Sequence, residues 1–345
     1  MMLSYRFAEV SPSNSVMVSE TLNSPVWMSF SGIMSCVVKE MPCPKRAVAR
    51  KRTDFMANPT SGSELRAVSR ITSGLPATDG AGVHMTRLIG TAELDNIDPF
   101  LLLDVFQTEN PDDYIAGFPT HPHRGFETVT YMFAGQLRHK DSTGNEGVIE
   151  SGGVQWMTAG RGIVHSEMPE QKDGLMWGTQ LWVNLPGAEK MTEPGYQEFD
   201  ADRLPQEKRE NGVEVVVVAG TTTQGTVGAV TGRPTDPLYL DVRLPDGASF
   251  SEAVPATHNA FIFVVEGSIF IAGERAAANS AVEAGSLAIL GDGGSVEVHS
   301  EGMASRILLI AGQRIDEPIA RGGPFVMNTQ DEVQQAFADY QSGNF

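Results

Sequence analysis

From about residue 80 onward the chain is written in short apolar runs separated by turn residues. Segments such as TVTYMFAGQLRHKD, GVEVVVVAG, LYLDVRL, AFIFVVEGSIFIAG and SRILLIAG are rich in β-branched and aromatic side chains, and Gly, Pro, Asn and Asp bound them. Runs of that length, punctuated at hairpin spacing, predict strands. A helical period is rare until NTQDEVQQAFADYQSG at 328–343, where Val333, Ala336, Phe337 and Tyr340 fall on one face. Thr329 can cap that helix, Glu332 completes a capping box, and Gly343 supplies a stop. The pattern predicts an all-β fold, a sandwich or barrel, with one short C-terminal helix covering a core.

The strand pattern occurs twice. Laying TVTYMFAGQL over AFIFVVEGSI puts Gly135 on Gly267 and, with no gap, Gly153 on Gly285, each opening a mostly apolar run. Two related barrels in tandem account for both this repetition and the length of 345 residues. The expected division is a poorly structured extension over 1–60, an N-terminal barrel over 66–198 and a C-terminal barrel with the terminal helix over 205–345.

The first 55 residues break the pattern. They lack sustained periodicity, hold both cysteines (Cys36 and Cys43) and end in the basic cluster KRAVARKR at 45–52. An inert extension ahead of a start at Met56 is the preferred reading, with an organellar leader and a nuclear import signal as the alternatives. Two cysteines make no disulfide framework, which fits a reducing compartment, and the cytoplasm is the expected location unless that segment directs the chain to the nucleus or an organelle. The net charge is −18, and residues 1–55 contribute +3 of it (seven Lys or Arg against four Asp or Glu), which leaves −21 on the body. So acidic a body argues against direct nucleic-acid binding, local exceptions aside, and leaves protein partners open. No run approaches the ~18 apolar residues of a membrane helix, so no membrane partner is expected.

The chemistry concentrates in two places. GFPTHPHRGFE (117–127) carries His121 and His123 one residue apart, and GRGIVHSE (160–167) repeats that gap with His165 and Glu167. Residues two apart on a strand point to the same side, so each pair can face inward from its own strand. Three imidazoles and a carboxylate suit Fe, Mn, Ni, Cu or Zn better than Mg or Ca, and four ligands on a six-coordinate ion leave two positions open. In the ungapped repeat His121 and His123 meet Ala253 and Pro255, His165 meets Glu297 and Glu167 meets His299, so the second barrel is expected to be metal-free. Glu127 shares parity with His121 and His123, which makes it a weaker auxiliary carboxylate or a buried hydrogen-bonded residue. His139, in the charged RHKD turn, is expected in solvent, and His84, His258 and His299 are expected to be structural.

The segments DPFLLLDVF (98–106), HPHRGFETVTY (121–131), WMTAGRGIVHSE (156–167), LWVNLP (181–186) and GPFVMNTQDEVQQAF (323–337) resemble the pirin family of the cupin superfamily. The likeness runs from about 80 to 345, and it keeps the family's own departure from the general cupin pattern, Gly160 in place of proline and the late carboxylate Glu167. It implies two cupin barrels of jelly-roll type, with iron, as Fe(II), held in the first by His121, His123, His165 and Glu167. It further implies activity like that of quercetin 2,3-dioxygenases on a flavonol-like aromatic substrate and O₂. In that chemistry Glu167 is the leading base and Glu127 a weaker one, while wall residues such as Phe126 and Met132 exclude water. The alternative is a non-enzymatic, iron-dependent regulator of transcription or of a metabolic enzyme that acts through protein partners. A structural ion without turnover is the blandest reading, and the chain is expected to be a monomer.

Overall fold

The computed structural model describes residues 64–273 and 281–345. The readings of segment 1–60 lie outside the described residues. Two β-barrels of matching build follow one another, each made of a seven-stranded and a four-stranded antiparallel sheet. The first barrel's large sheet runs, in spatial order, Gly195–Phe199, Val154–Thr158, Phe126–Ala134, Met176–Asn184, Phe100–Thr108, Val83–Ile89 and Leu75–Asp79. Its small sheet runs Phe118–His123, Ile163–Pro169, Leu137–Asp141 and Glu146–Ile149. The second barrel centres on His258–Glu266 and Ser305–Gln313, and its small sheet contains Ser249–Ala253 and Ser295–His299.

The central strands read as continuous apolar runs because both of their faces are covered. Alternate residues serve different cores. Val129, Tyr131, Leu181 and Val183 of the first barrel meet Phe261, Phe263, Leu308 and Ile310 of the second in one core at the junction. The intervening residues face the barrel interiors. Ile262, Val264, Ile307 and Leu309 help fill the second barrel with apolar side chains, each worth about 1.5–3 kcal/mol on burial. In the first barrel Met132, Phe106 and Leu137 fill one end only. Its other end is polar and carries the candidate site.

A buried polar link crosses the junction. Arg306 grips Asp241 through Nε and Nη2 at 2.9 and 2.7 Å, and the Tyr131 hydroxyl donates to the same carboxylate at 2.8 Å. Tyr131 belongs to the first barrel, and the ion pair to the second.

The repeat is real, with one slip. Met132 and Val264 occupy equivalent places 132 residues apart, but the backbone N–H that donates to each carbonyl comes from Gly152 (2.7 Å) and Gly285 (2.8 Å). Both glycines have φ +81°, a conformation that favours glycine. Gly152, rather than Gly153, is therefore the counterpart of Gly285, and the ungapped register is one residue out beyond that hairpin.

The two ends of the described chain cross over. Val68–Thr72, expected in the first barrel, is an edge strand of the second barrel's large sheet, paired with Leu287–Leu290. The short hairpin Ala320–Gly322/Phe325–Met327 and the helix Gln330–Ser342, expected with the second barrel, sit against the first. Val326 bonds backbone to backbone with Arg124 at 3.1 Å, Lys190 Nζ donates to Val326 O at 3.0 Å, and Arg124 pairs with Asp339 at 2.7 Å. The helix is capped as its sequence requires, by the Thr329–Glu332 capping box and by Gly343 in the left-handed conformation.

Candidate metal centre

The strand Phe118–His123 runs antiparallel to Ile163–Pro169, with His121 opposite His165 and His123 opposite Ile163. Period-2 geometry on these two neighbours brings the three imidazoles together, with ligand-capable nitrogens all within 4.8 Å of one another. The rings pack edge to face or tilted at centroid distances of 4.6, 4.4 and 5.1 Å. His121 Nδ1 lies 2.9 Å from the Pro119 carbonyl, an acceptor, so it carries the hydrogen and leaves the Nε2 lone pair free. That Nε2 faces His123 Nε2 at 3.0 Å. Both nitrogens of His165 are buried and find no hydrogen-bond partner among the described residues.

Orphaned buried nitrogens are costly, at about 1–3 kcal/mol each, unless something satisfies them. Burial, reinforced by the neighbouring imidazoles, pushes the His123 pKa well below its usual value. Burial is also the main reason His165 falls to about 4, against an opposing pull from Glu167. Both rings are therefore neutral at pH 7, the state a metal requires of them. Converging neutral imidazoles with unused lone pairs fit a borderline divalent cation.

Glu167 is buried on the same strand as His165. Both its oxygens accept from Gln180 Nε2, at 3.1 and 3.0 Å, and Oε1 also accepts from the Thr130 hydroxyl at 3.3 Å. The group of nearby ligand atoms comprises the three histidines alone; Glu167, expected as a fourth ligand, lies outside it, after a break in strand register between His165 and Glu167. A cavity of about 700 Å³ opens beside His121 and His123, walled by Phe118, Gln180, Trp182 and Arg321. Trp182 packs on Phe126 at 4.3 Å, and both rings stand edge-on to His123, at 5.2 and 5.0 Å. A larger cleft of about 820 Å³ opens elsewhere, lined in part by Trp177, Phe263 and Glu266, and holds none of the expected site residues.

Two expectations are corrected. Glu127 does not continue the face of His121 and His123, because their strand ends at His123 and Glu127 belongs to a strand of the other sheet. It looks toward the barrel junction, accepting from the Thr158 hydroxyl at 2.6 Å and from Arg233 Nη1 at 2.9 Å. Its auxiliary role at the metal centre falls away. His139 is buried rather than solvated, 2.8 Å from Glu198, because Leu137, His139 and Asp141 form the inward row of a strand and not a turn. The remaining histidines have structural partners: His84 with Asp113 at 3.0 Å, His258 with the Asp236 carbonyl at 2.8 Å, and His299 stacked on Phe270. Phe126 and Met132 both point into the barrel, the first beside His123 and the second at the apolar end. Thr130, Gln180, Trp182 and Arg321 went unnoticed in the sequence, although the alternation that turns Phe126 and Met132 inward places Thr130 with them.

Comparison with known proteins accords with this architecture. The family model Pirin matches residues 82–183, and the model for the pirin C-terminal cupin domain matches 239–345. A pirin-like protein of Caulobacter vibrioides is 52% identical over 81% of this chain and 99% of its own. A Pseudomonas aeruginosa protein provisionally named a quercetin 2,3-dioxygenase is 47% identical over 81% and 97%. A crystal structure of quercetin 2,3-dioxygenase from Acinetobacter baumannii superposes with TM-score 0.73 at 33% identity, covering 81% of this chain and 98% of that one. Among the described residues no helix is long and apolar enough to cross a membrane.

Proposed function

The chain belongs to the pirin family, and from that membership we propose that it is a metal-dependent dioxygenase of the quercetin 2,3-dioxygenase type. His121, His123, His165 and Glu167 would hold the ion, Fe(II) by preference, with Mn, Ni, Cu and Zn within reach of the same donor set. The observation that carries the proposal is the convergence of three imidazoles, those of His123 and His165 buried, with His121 and His123 at the edge of a cavity large enough for a flavonol. When bound, the ion would supply Lewis acidity toward a substrate oxygen and the redox chemistry that O₂ requires.

The protein's own groups do the rest. Gln180 and Thr130 fix the Glu167 carboxylate through three donated bonds, so it is oriented before substrate arrives. From there it accepts the proton of the flavonol 3-hydroxyl. Phe118 and Trp182 present apolar walls to a planar ring, and Phe126 closes the space behind His123 against water.

The test is oxygen uptake by Fe(II)-loaded protein started at Met56, on addition of quercetin, with His165→Ala as the blank. Uptake with carbon monoxide release, absent from the variant, is the expected result. No uptake from fully loaded protein overturns the enzyme reading and leaves the partner-dependent regulator.

A further inference from the structure

Two guanidinium groups line the cavity beside the histidines. Arg87 is fully engaged: Nε and Nη2 bond the two oxygens of Asp104 at 2.8 and 2.7 Å, and Nη2 also reaches Asp79 at 3.0 Å. Arg321 is held differently. It stands in the hairpin that follows the second barrel and reaches across to the first, with its guanidinium over the Trp182 ring at 5.3 Å. Of its five N–H donors one is used, Nη2 bonding the Leu101 carbonyl at 3.3 Å, and no carboxylate lies within ion-pairing distance among the described residues.

Asp95 and Asp104 act on this half-buried cation only at a distance, and neither bonds it, so most of its donors face the cavity without a partner. The cavity's two carboxylates are both committed to Arg87. A planar guanidinium fork is shaped for a carboxylate or another flat anion, and the ring it covers continues the apolar wall. We infer that this cavity selects planar aromatic ligands that carry an anionic group, with Arg321 pairing the anion while Trp182 and Phe118 flank the ring. The inference rests on reading the histidine cavity as the ligand site, and it makes Arg321 a specificity determinant contributed by the far end of the chain.

The test measures binding rather than turnover. Titrations with 2-naphthoate and with its neutral amide, followed by calorimetry, compare wild type with Arg321→Gln, each metal-loaded and metal-stripped. Wild type is expected to prefer the carboxylate by about tenfold or more in both states, the range of a charge-assisted bidentate pair. In Arg321→Gln the two ligands should bind within about twofold of each other. Arg321→Lys keeps the charge without the fork and should give an intermediate preference, which also covers the case of a glutamine variant that does not fold. An undiminished preference in Arg321→Gln, or none in wild type, overturns the inference. A preference that vanishes on metal removal also overturns it, because the anion then goes to the ion. Iron-loaded protein inert toward quercetin would sink the dioxygenase reading and leave this selectivity standing.

Discussion

Replacing Asp241 by Asn keeps its shape and removes its charge from the junction between the barrels. The side chain is fully buried, and it accepts three bonds, two from Arg306 and one from Tyr131. Arg306 is itself buried, lying over the Phe133 ring at 4.6 Å, so without Asp241 it is a buried charge that has lost its bonded partner. Breaking one side of a buried pair typically costs about 3–5 kcal/mol. Tyr131→Phe removes a single bond to a charged acceptor and should cost about 1.5–3 kcal/mol. In the Asn background the same tyrosine bonds a neutral group, worth about 1 kcal/mol, so the double variant should be less destabilised than the sum by about 0.5–2 kcal/mol. Urea unfolding followed by far-ultraviolet circular dichroism and tryptophan fluorescence measures all three variants. The shared junction core predicts one coincident transition in both signals. A loss below about 1 kcal/mol for Asp241→Asn, or strict additivity in the cycle, would refute the claim that this network ties the barrels together.

Three further outcomes are expected. His123→Ala and His165→Ala should each lose stoichiometric metal, read by elemental analysis after dialysis, while keeping the β-sheet spectrum; retention of metal in both would remove the assignment. Gly125 has φ +87°, and an added Cβ would run into the Val326 carbonyl. Gly125→Ala should therefore lower stability by at least ~2 kcal/mol, whereas an unchanged melting temperature would show that the C-terminal hairpin yields freely. At Glu207 burial alone would raise the carboxyl pKa, but bonds from Thr222 and Arg209 outweigh it and hold it below its ordinary value. A depressed folded pKa stabilises above the unfolded value and loses that contribution as pH falls through the folded one. The stability gap between wild type and Glu207→Gln should then be full at pH 7 and close in acid, below about pH 4.3, the ordinary carboxyl value. A gap independent of pH would contradict this.

What could be read from the sequence was local or periodic. The Thr329–Glu332–Gly343 helix signature depends on neighbours three or four residues apart, and it appears as written. The two histidine-bearing stretches were legible because period-2 spacing holds within a strand. The same rule failed for Glu127, where the chain leaves one sheet after His123 and turns through Gly125 before entering another. It also hid His139, since a charged tetrapeptide looks like a turn until the strand on either side buries alternate members. Gln180 and Arg321 carry no local signal, because their meaning arises only when strands far apart in sequence share a cavity. Val68–Thr72 reads VSRIT, too polar to announce which sheet it joins, and only its partner Leu287–Leu290 decides that.

The crossed ends have a consequence for how the molecule comes apart. Each barrel lends the other a piece: Arg66 bonds the carbonyls of Gly291, Pro255 and His258 of the second barrel, while Phe345 lies under the Arg124 guanidinium of the first. Severing the chain in the short connection after Phe199 would give two fragments, each holding a part its counterpart requires. Such fragments should recombine in trans, like the halves of a buckle, whereas either one made alone would expose both the junction core and the seat of its missing strap.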